Sequence, residues 1–446
     1  MNTTAIKILF VALVIIVGAL LVYNAEKLSN KKLFLVFGGI VVLGFVLRLL
    51  NILYIPCEPI SDYETMQEAA KTFADGTNSA FKMGTYMQRF PHMTPYAVFV
   101  GILYKIFGTD VFVVKFFNVL FKTAAIVILG FLGKRLCGKR GMLCTSFLYA
   151  VFPQDIFYTN VCITENFALP FLIASLLFVI KAFQSEGVKE CVINMVISGA
   201  VLSVGCLFRG VAPFYLVAYA GAIILVFARG KKIVSILSMV LAFVLINQVV
   251  SLSLYYGKVT EYKLSDKGEP YQVYMLVGSN FETHGMYSQE DHDVYFEAGK
   301  DPEKAKEIAT ERLIQRLKNN PEKIIPLWIE KTAIIWHGTF DSVYWGVYNN
   351  GVEGEKPDYY LYNVICAFFF IALLVLGVVG IILNKNRKIS IILLLLPMAF
   401  EAGLMLIEIQ ARYTFPVAYI FVVLAAVGIC ESVNLMIERR KNEKLS

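Results

Sequence analysis

Charged side chains are scarce in this 446-residue chain: Asp, Glu, Lys and Arg make up 17% of it, against 57% hydrophobic residues. With a mean hydropathy of +0.64, that scarcity excludes a soluble domain and points to a polytopic membrane protein. The eight cysteines are scattered, with no C-x-x-C pair and no zinc spacing. No H-E-x-x-H, G-x-S-x-G or P-loop occurs, so hydrolase and NTPase readings lack their motifs. Internal repeats and low-complexity stretches are absent too. The excess of positive charge, +7, does not imply nucleic acid, because Lys and Arg cluster in short loops between apolar runs.

What is present is a series of apolar runs, each long enough for a bilayer core of about 30 Å. Spans are expected at 6–23, 33–54, 110–132, 141–159, 166–183, 191–208, 211–228, 232–254, 359–383, 389–407 and 413–436. The first has only Lys7 before it and no small-residue cleavage site, so it reads as an uncleaved anchor with its N-terminus outside. Loops 24–32, 133–140, 181–190, 229–232 (Arg229, Lys231, Lys232) and 384–388 (Lys385, Arg387, Lys388), with the tail Arg439, Arg440 and Lys441, then all fall inside. The run 91–107, opened by Pro91, His92 and Pro95, would break this pattern as a span, so it is expected as a juxtamembrane or partly inserted outer helix. The expected fold is therefore an all-α polytopic protein of about 11 transmembrane helices, in the cytoplasmic membrane, with its C-terminus cytoplasmic. It divides into an extra anchor at 1–32, a transmembrane region at 33–254 with the outer loop 55–109, an extracytoplasmic segment at 255–358, and C-terminal spans at 359–446. Within the extracytoplasmic segment, Pro302 to Asn319 reads as a helix and 324–336 as an apolar stretch on the membrane surface. Cys57 and Cys162 face outward in this scheme, and nothing in their spacing requires a disulfide.

The outer loop opens with a short helix. Ser61 and Glu64 fit an S-x-x-E capping box. Helical spacing puts Glu64, Glu68, Lys71 and Asp75 on one polar face, and Asp62 with Met66, Ala69 and Phe73 on the opposite one. Asp62 thus points away from the solvated side. It either complements the helix dipole or serves chemistry at the membrane surface.

Other ionisable groups gather at the same depth: Arg89 and His92, Asp155 and Glu165, Arg209, then Glu408, Gln410, Arg412 and Tyr413. Charge near a bilayer is costly, and a set at one level suggests a shared polar site. Acids together with Arg and His suit an anionic ligand beside a general base. Each has a plainer alternative. Glu165 can serve a helix N-terminus, Arg412 and Glu408 an i,i+4 pair, and Arg48 can snorkel or pair locally. His284, His292 and His337 read as ordinary loop residues.

Several of these motifs, in this order, fit one family. They are Arg48-Leu-Leu with Pro-Ile-Ser-Asp62-Tyr, then Arg89-Phe-Pro-His-Met-Thr-Pro-Tyr96 and Leu-Tyr-Lys-Ile-Phe-Gly108. Next come Gly-Lys-Arg-Leu-Cys-Gly-Lys-Arg140, Phe-Pro153 with Phe-Tyr-Thr-Asn, Thr-Glu165-Asn, and Glu408-Ile-Gln-Ala-Arg412-Tyr-Thr-Phe-Pro416. Over most of 40–230 and 385–437 the chain resembles the bacterial GT-C-fold glycosyltransferases, which include protein O-mannosyltransferases and aminoarabinose transferases of lipid A. The resemblance implies a multi-pass transferase using a polyprenyl-phosphate-linked sugar donor, with a cell-envelope glycan, lipid or protein as acceptor and no nucleic acid. It makes Asp62 the catalytic base of an inverting displacement. Arg209 and Arg412 become phosphate contacts, and Arg89, His92, Glu165, Glu408, Gln410 and Tyr413 further substrate-binding residues. Tyr63 departs from the adjacent Asp-Glu pair common in the mannosyltransferases, and helix geometry turns Glu64 away from Asp62. Some members of the wider fold need a divalent metal. Asp62, Asp155 and Glu165 are the oxygen ligands available for Mg2+ or Mn2+, and metal dependence stays open. Rival readings are a lipid-linked glycan polymerase or ligase, a transporter or flippase, and a non-catalytic assembly factor. A transporter predicts inverted repeats and midplane charges, neither of which this chain displays.

Overall fold

Apolar runs separated by short basic loops dictate helices in a bilayer, because only a helix or a closed barrel satisfies its own backbone there. A computed structural model describes residues 3–266, 268–354, 358–384 and 386–443. Lys385 lies outside them, and the side chains of Lys7, Arg229 and Lys441 are likewise outside the described set. Among the described residues every regular element is helical.

Among the described residues seven helices are long and apolar enough to cross a membrane: Asn30–Tyr54, Val111–Ala150, Glu165–Gln184, Val188–Phe208, Gly230–Tyr256, Tyr359–Leu383 and Tyr419–Arg440. That is fewer than the eleven expected, for identifiable reasons. The first helix, Thr3–Ala25, has 23 residues and is apolar over Leu9–Ala25, and Ala212–Val226 is apolar but shorter. Arg387–Leu404 carries Arg387, Lys388 and Glu401 within 18 residues. The expected spans 110–132 and 141–159 both lie within Val111–Ala150, which non-helical backbone at Cys137 and Gly138 divides into two helices at the expected loop 133–140. Gly138 has φ 61°, a conformation glycine adopts without steric cost. Gly133 and Gly141 then meet so closely that a Cβ on Gly133 would fall 2.2 Å from the Gly141 carbonyl oxygen.

The second arm stops at Ala150, short of the expected 159, and residues 151–164 run as broken turns around the short helix Pro153–Tyr158. These turns are buried, so their backbone must be satisfied by protein. Side chains do this. The Arg48 guanidinium donates to the carbonyls of Tyr149 and Ala150 at 3.0 Å each. Asn118 donates to Thr159 and Val161, Asn166 to Tyr158 and Val161, and Asn51 to Ile156. Asp155 anchors the region, accepting from Arg48 at 2.7 Å, from Lys122 at 2.5 Å and from the Tyr149 hydroxyl at 2.7 Å, with both ion pairs fully buried. Arg48 therefore does not snorkel: it bonds locally to the Gly44 carbonyl at 2.9 Å, and its carboxylate partner is 107 residues away.

The basic loops meet at one end. Lys139 donates to the Leu28 carbonyl, Lys231 to that of Glu186 and Gln184 to that of Arg135. At the other end, residues 55–109 and 255–358 interlock. Glu58 donates its amide to Asn350, Asn350 returns its side chain to Pro56, and the Glu269 amide reaches the Arg89 carbonyl. Run 91–107 contains the 14-residue helix Thr94–Phe107, which packs on Asp62–Ala74 with Gly101 against Phe73. Pro302–Asn319 and Ile324–Ile335 are helices where the sequence places them. Cys57 and Cys162 are both free thiols, each buried.

Replacing Asp155 by Asn would strand two buried cations, a loss of about 3–5 kcal/mol for a broken buried pair. A clear drop in the thermal unfolding temperature of Asp155→Asn in detergent is expected. An unchanged temperature would show that the ion pairs do not hold the bundle together.

Candidate functional site

The helix Asp62–Ala74 begins where the extended stretch after Tyr54 turns back. Ser61 occupies the N-cap position with φ 56° and ψ −133°, and its side chain makes no capping bond. The expected capping box is therefore not formed: in this backbone conformation the Ser61 hydroxyl does not reach the first-turn amides. The amphipathic division holds. Glu64, Glu68 and Asp75 are exposed, while Met66 and Ala69 are buried.

Asp62 is the first residue of that helix. Its Oδ1 accepts a 2.7 Å hydrogen bond from the Tyr86 hydroxyl, and its Oδ2 lies 3.9 Å from the Arg412 guanidinium. The side chain stays 42% exposed, so one carboxylate oxygen is fixed and the other remains approachable. Burial, then the neighbouring Asp62 charge, push the Tyr86 phenol up, which keeps it a donor to Asp62.

Arg412 comes from the 3-10 turn Ala411–Val417 that precedes the last span. It is buried, donates to the Tyr63 hydroxyl, and lies over the rings of Tyr63, Trp345 and Tyr413 at 5.2, 5.7 and 5.8 Å. Among the described residues its Nε has no hydrogen-bond partner. Arg209, just past the helix Val188–Phe208, lies 5.3 Å from the same Tyr413 ring and pairs with Glu165 at 3.3 Å. Glu165 Oε2 also accepts from the Thr164 hydroxyl at 2.9 Å. Two arginines from distant helices thus flank one tyrosine ring beside Asp62. His92 is exposed and sits by Gly210, next to Arg209.

The remaining expected residues form an adjoining network. Arg89 pairs with Glu269, and His292 lies between two carboxylates, 3.6 Å from Glu269 and 2.9 Å from Glu408. Gln410 donates to the other oxygen of Glu408 at 3.3 Å. The i,i+4 pair of Glu408 with Arg412 does not form, because helix Arg387–Leu404 has ended and residues 408–410 are extended. That stretch is pinned by Lys331, whose ammonium donates to the carbonyls of Gly278, Met405 and Ile407, and by the Glu408 amide bonding to Tyr274. His292 is therefore no ordinary loop histidine. Burial lowers its pKa, but the carboxylates of Glu269 and Glu408 on either side outweigh that cost and raise it to about 9.

Asp62, Asp155 and Glu165 do not assemble as a metal site. Asp155 is spent on Arg48, Lys122 and Tyr149, and among the described residues no three His, Cys, Asp or Glu side chains are grouped to hold an ion. Sequence reasoning missed Tyr63, Tyr86, Trp345 and Glu269. Tyr63 carried the only signal, as the buried-face residue between two acids.

The sequence has no match among curated proteins. The family model for dolichyl-phosphate-mannose-protein mannosyltransferases matches residues 91–256. Among solved structures, the chain resembles the archaeal oligosaccharyltransferase AglB from Archaeoglobus fulgidus in complex with an inhibitory peptide and a dolichol-phosphate. The TM-score is 0.52 at 16% identity, over 94% of this chain and 52% of that one. The same oligosaccharyltransferase tethered to an acceptor peptide with the NVT sequon gives 0.51 at 15% identity, over 92% and 50%. ArnT from Cupriavidus metallidurans bound to undecaprenyl phosphate gives 0.39 at 13% identity, over 91% and 79%. The chain spans about half the length of the oligosaccharyltransferase structures.

The His292 bridge has a pH signature. Its folded value, about 9, lies above the ordinary 6.5, so its stabilising contribution is complete below about pH 6.5 and is lost as pH rises through about 9. The groups facing it are Glu269, Glu408, Tyr274 and Tyr287, with Arg89 behind Glu269. The unfolding temperature should fall between pH 7 and 10, and His292→Gln should flatten that fall. Identical slopes in both proteins would dismiss the bridge.

Proposed function

We propose that this chain, which carries the GT-C fold, is a glycosyltransferase. It moves a sugar from a polyprenyl-phosphate-linked donor to an acceptor hydroxyl of the cell envelope, at the outer face of the cytoplasmic membrane. The observation that carries the reading is the meeting of Asp62 with Arg412 and, across Tyr413, with Arg209. The mannosyltransferase family match and the dolichol-phosphate in the AglB structure supply the donor class.

In this mechanism Tyr86 holds Asp62 Oδ1, leaving Oδ2 to take the proton of the acceptor hydroxyl. The acceptor oxygen forms a bond to the anomeric carbon as the bond from that carbon to the phosphate oxygen breaks. The electron pair leaves on the phosphate, and a single displacement inverts the centre. Charge grows on the leaving phosphate, where guanidinium groups bind most effectively. Arg412 is held by its rings and offers an unsatisfied Nε–H. Arg209 exchanges its Glu165 contact for a phosphate oxygen. Glu165 orients Arg209, while His92, Tyr413 and the Arg89, Glu408 and Gln410 network frame the donor and acceptor. No step is routed through a metal, since the available carboxylates do not converge.

Asp62→Asn should lower transfer by about 10²–10⁴-fold, the usual worth of a general base, in a protein that still folds and inserts. Full transfer by that variant would remove Asp62 from the chemistry. Arg209→Ala and Arg412→Ala should each weaken binding of a polyprenyl-phosphate sugar by about 10–100-fold, the worth of a charge-assisted hydrogen bond. A variant with normal donor binding is not a phosphate contact. Translocation of the lipid-linked sugar without transfer would make the protein a transporter instead.

A further inference from the structure

The extracytoplasmic segment places a strip of side chains beside the candidate site that the transfer mechanism leaves unused. Tyr287 is 53% exposed and stacks on the buried His292 ring, with centroids 5.0 Å apart and planes at 26°. Its hydroxyl donates to the Gln289 side-chain oxygen, and the Gln289 amide donates to Asp293 Oδ1 at 2.6 Å. One helical turn on from Asp293, Phe296 is 48% exposed and lies against the Arg89 guanidinium at 4.7 Å. The strip runs into the site through continuous contacts. Arg89 lies over Phe90 at 4.9 Å, Phe90 and Tyr86 have centroids 4.7 Å apart, and Tyr86 bonds to Asp62.

Flat aromatic faces interleaved with planar amide and carboxylate groups match the two sides of a pyranose. The C–H face stacks on the rings, and the hydroxyls bond to Gln289 and Asp293. Charge narrows the class further. Glu290 and Asp293 place carboxylates along the strip, which repel a phosphorylated polymer and the anionic surface of a bilayer. The same carboxylates argue against a lipid-anchoring role for these aromatic residues.

We propose that Tyr287, Gln289, Asp293 and Phe296 form an acceptor subsite for an uncharged, hydroxyl-rich oligosaccharide, whose terminal unit reaches Asp62 while an earlier unit lies on the aromatic strip. The acceptor is then a growing glycan rather than a polypeptide. This assignment rests on the transferase reading.

The test uses the full chain in nanodiscs on an array of neutral oligosaccharides, with polyglycerol phosphate and a Ser/Thr-rich peptide as comparison probes. Wild-type protein should retain neutral oligosaccharides in preference to both. Tyr287→Ala and Phe296→Ala should each weaken that retention at least about tenfold, whereas Tyr287→Trp and Phe296→Tyr should keep it. Preference for the peptide or the phosphate polymer, no retention of any neutral glycan, or equal retention by the alanine variants overturns the assignment. Sugar release from a panel of polyprenyl-phosphate sugars, measured on the same samples, separates the two ideas. Donor turnover without strip-dependent glycan binding defeats this inference alone, and strip-dependent binding without donor turnover defeats the transferase reading.

Discussion

A bilayer cannot hydrogen-bond to a peptide group, and this protein breaks its helices inside the bundle. Residues 151–164 run as turns around one short helix between two spans, and every carbonyl freed there needs a donor from protein. Arg48, Asn51, Asn118 and Asn166 supply them, and the Asp155 carboxylate offsets the charge that Arg48 and Lys122 bring into the interior. The arrangement fixes four chain segments relative to one another. It also sets where Glu165 begins the next helix, so the candidate site inherits its geometry from a solution to a backbone problem.

At the loop-bearing end the same economy of partners recurs with a different outcome. Some charges are fully matched: Glu408 has His292 and Gln410, and Lys331 has three carbonyls. Others are left incomplete. Asp62 keeps an approachable oxygen, Arg412 keeps an unmet Nε–H, and Glu165 faces Arg209 without a full hydrogen bond to it. Incomplete matching costs stability, and the anionic donor proposed above would complete it. Aromatic rings hold the arginines in place without neutralising them, which preserves their charge for an anionic group.

How legible was this in the sequence? Apolar run length located the helices well, since crossing a membrane demands it. It also divided Val111–Ala150 where the backbone turns at Cys137 and Gly138, because the basic stretch Lys134 to Arg140 interrupts the hydropathy there; it failed at the far end of the second arm, where the helix stops at Ala150 and not at 159. Helical spacing correctly set Asp62 on the inward face, and level with it the sequence placed Arg209, Arg412 and Glu165, which the fold does bring together. It could not foresee that Asp155 would be consumed by Arg48 and Lys122, or that His292 would lie between Glu269 and Glu408. Two of those four pairings join residues more than 100 apart and the other two residues more than 20 apart, and no local pattern encodes such separations.

Local constraints were therefore readable: the all-helical class, the grouping of basic loops at one end and the buried face of the helix Asp62–Ala74 each follow from forces acting within a few turns of chain. Pairing was not. Whether a carboxylate becomes a structural counter-ion or an approachable base depends on which cations the folded chain sets within a few ångströms of it, because electrostatic interaction in a low-dielectric interior is steeply dependent on distance and environment. Only the tertiary structure decides that, and here it gave Asp155 three partners and left Asp62 with an oxygen to spare.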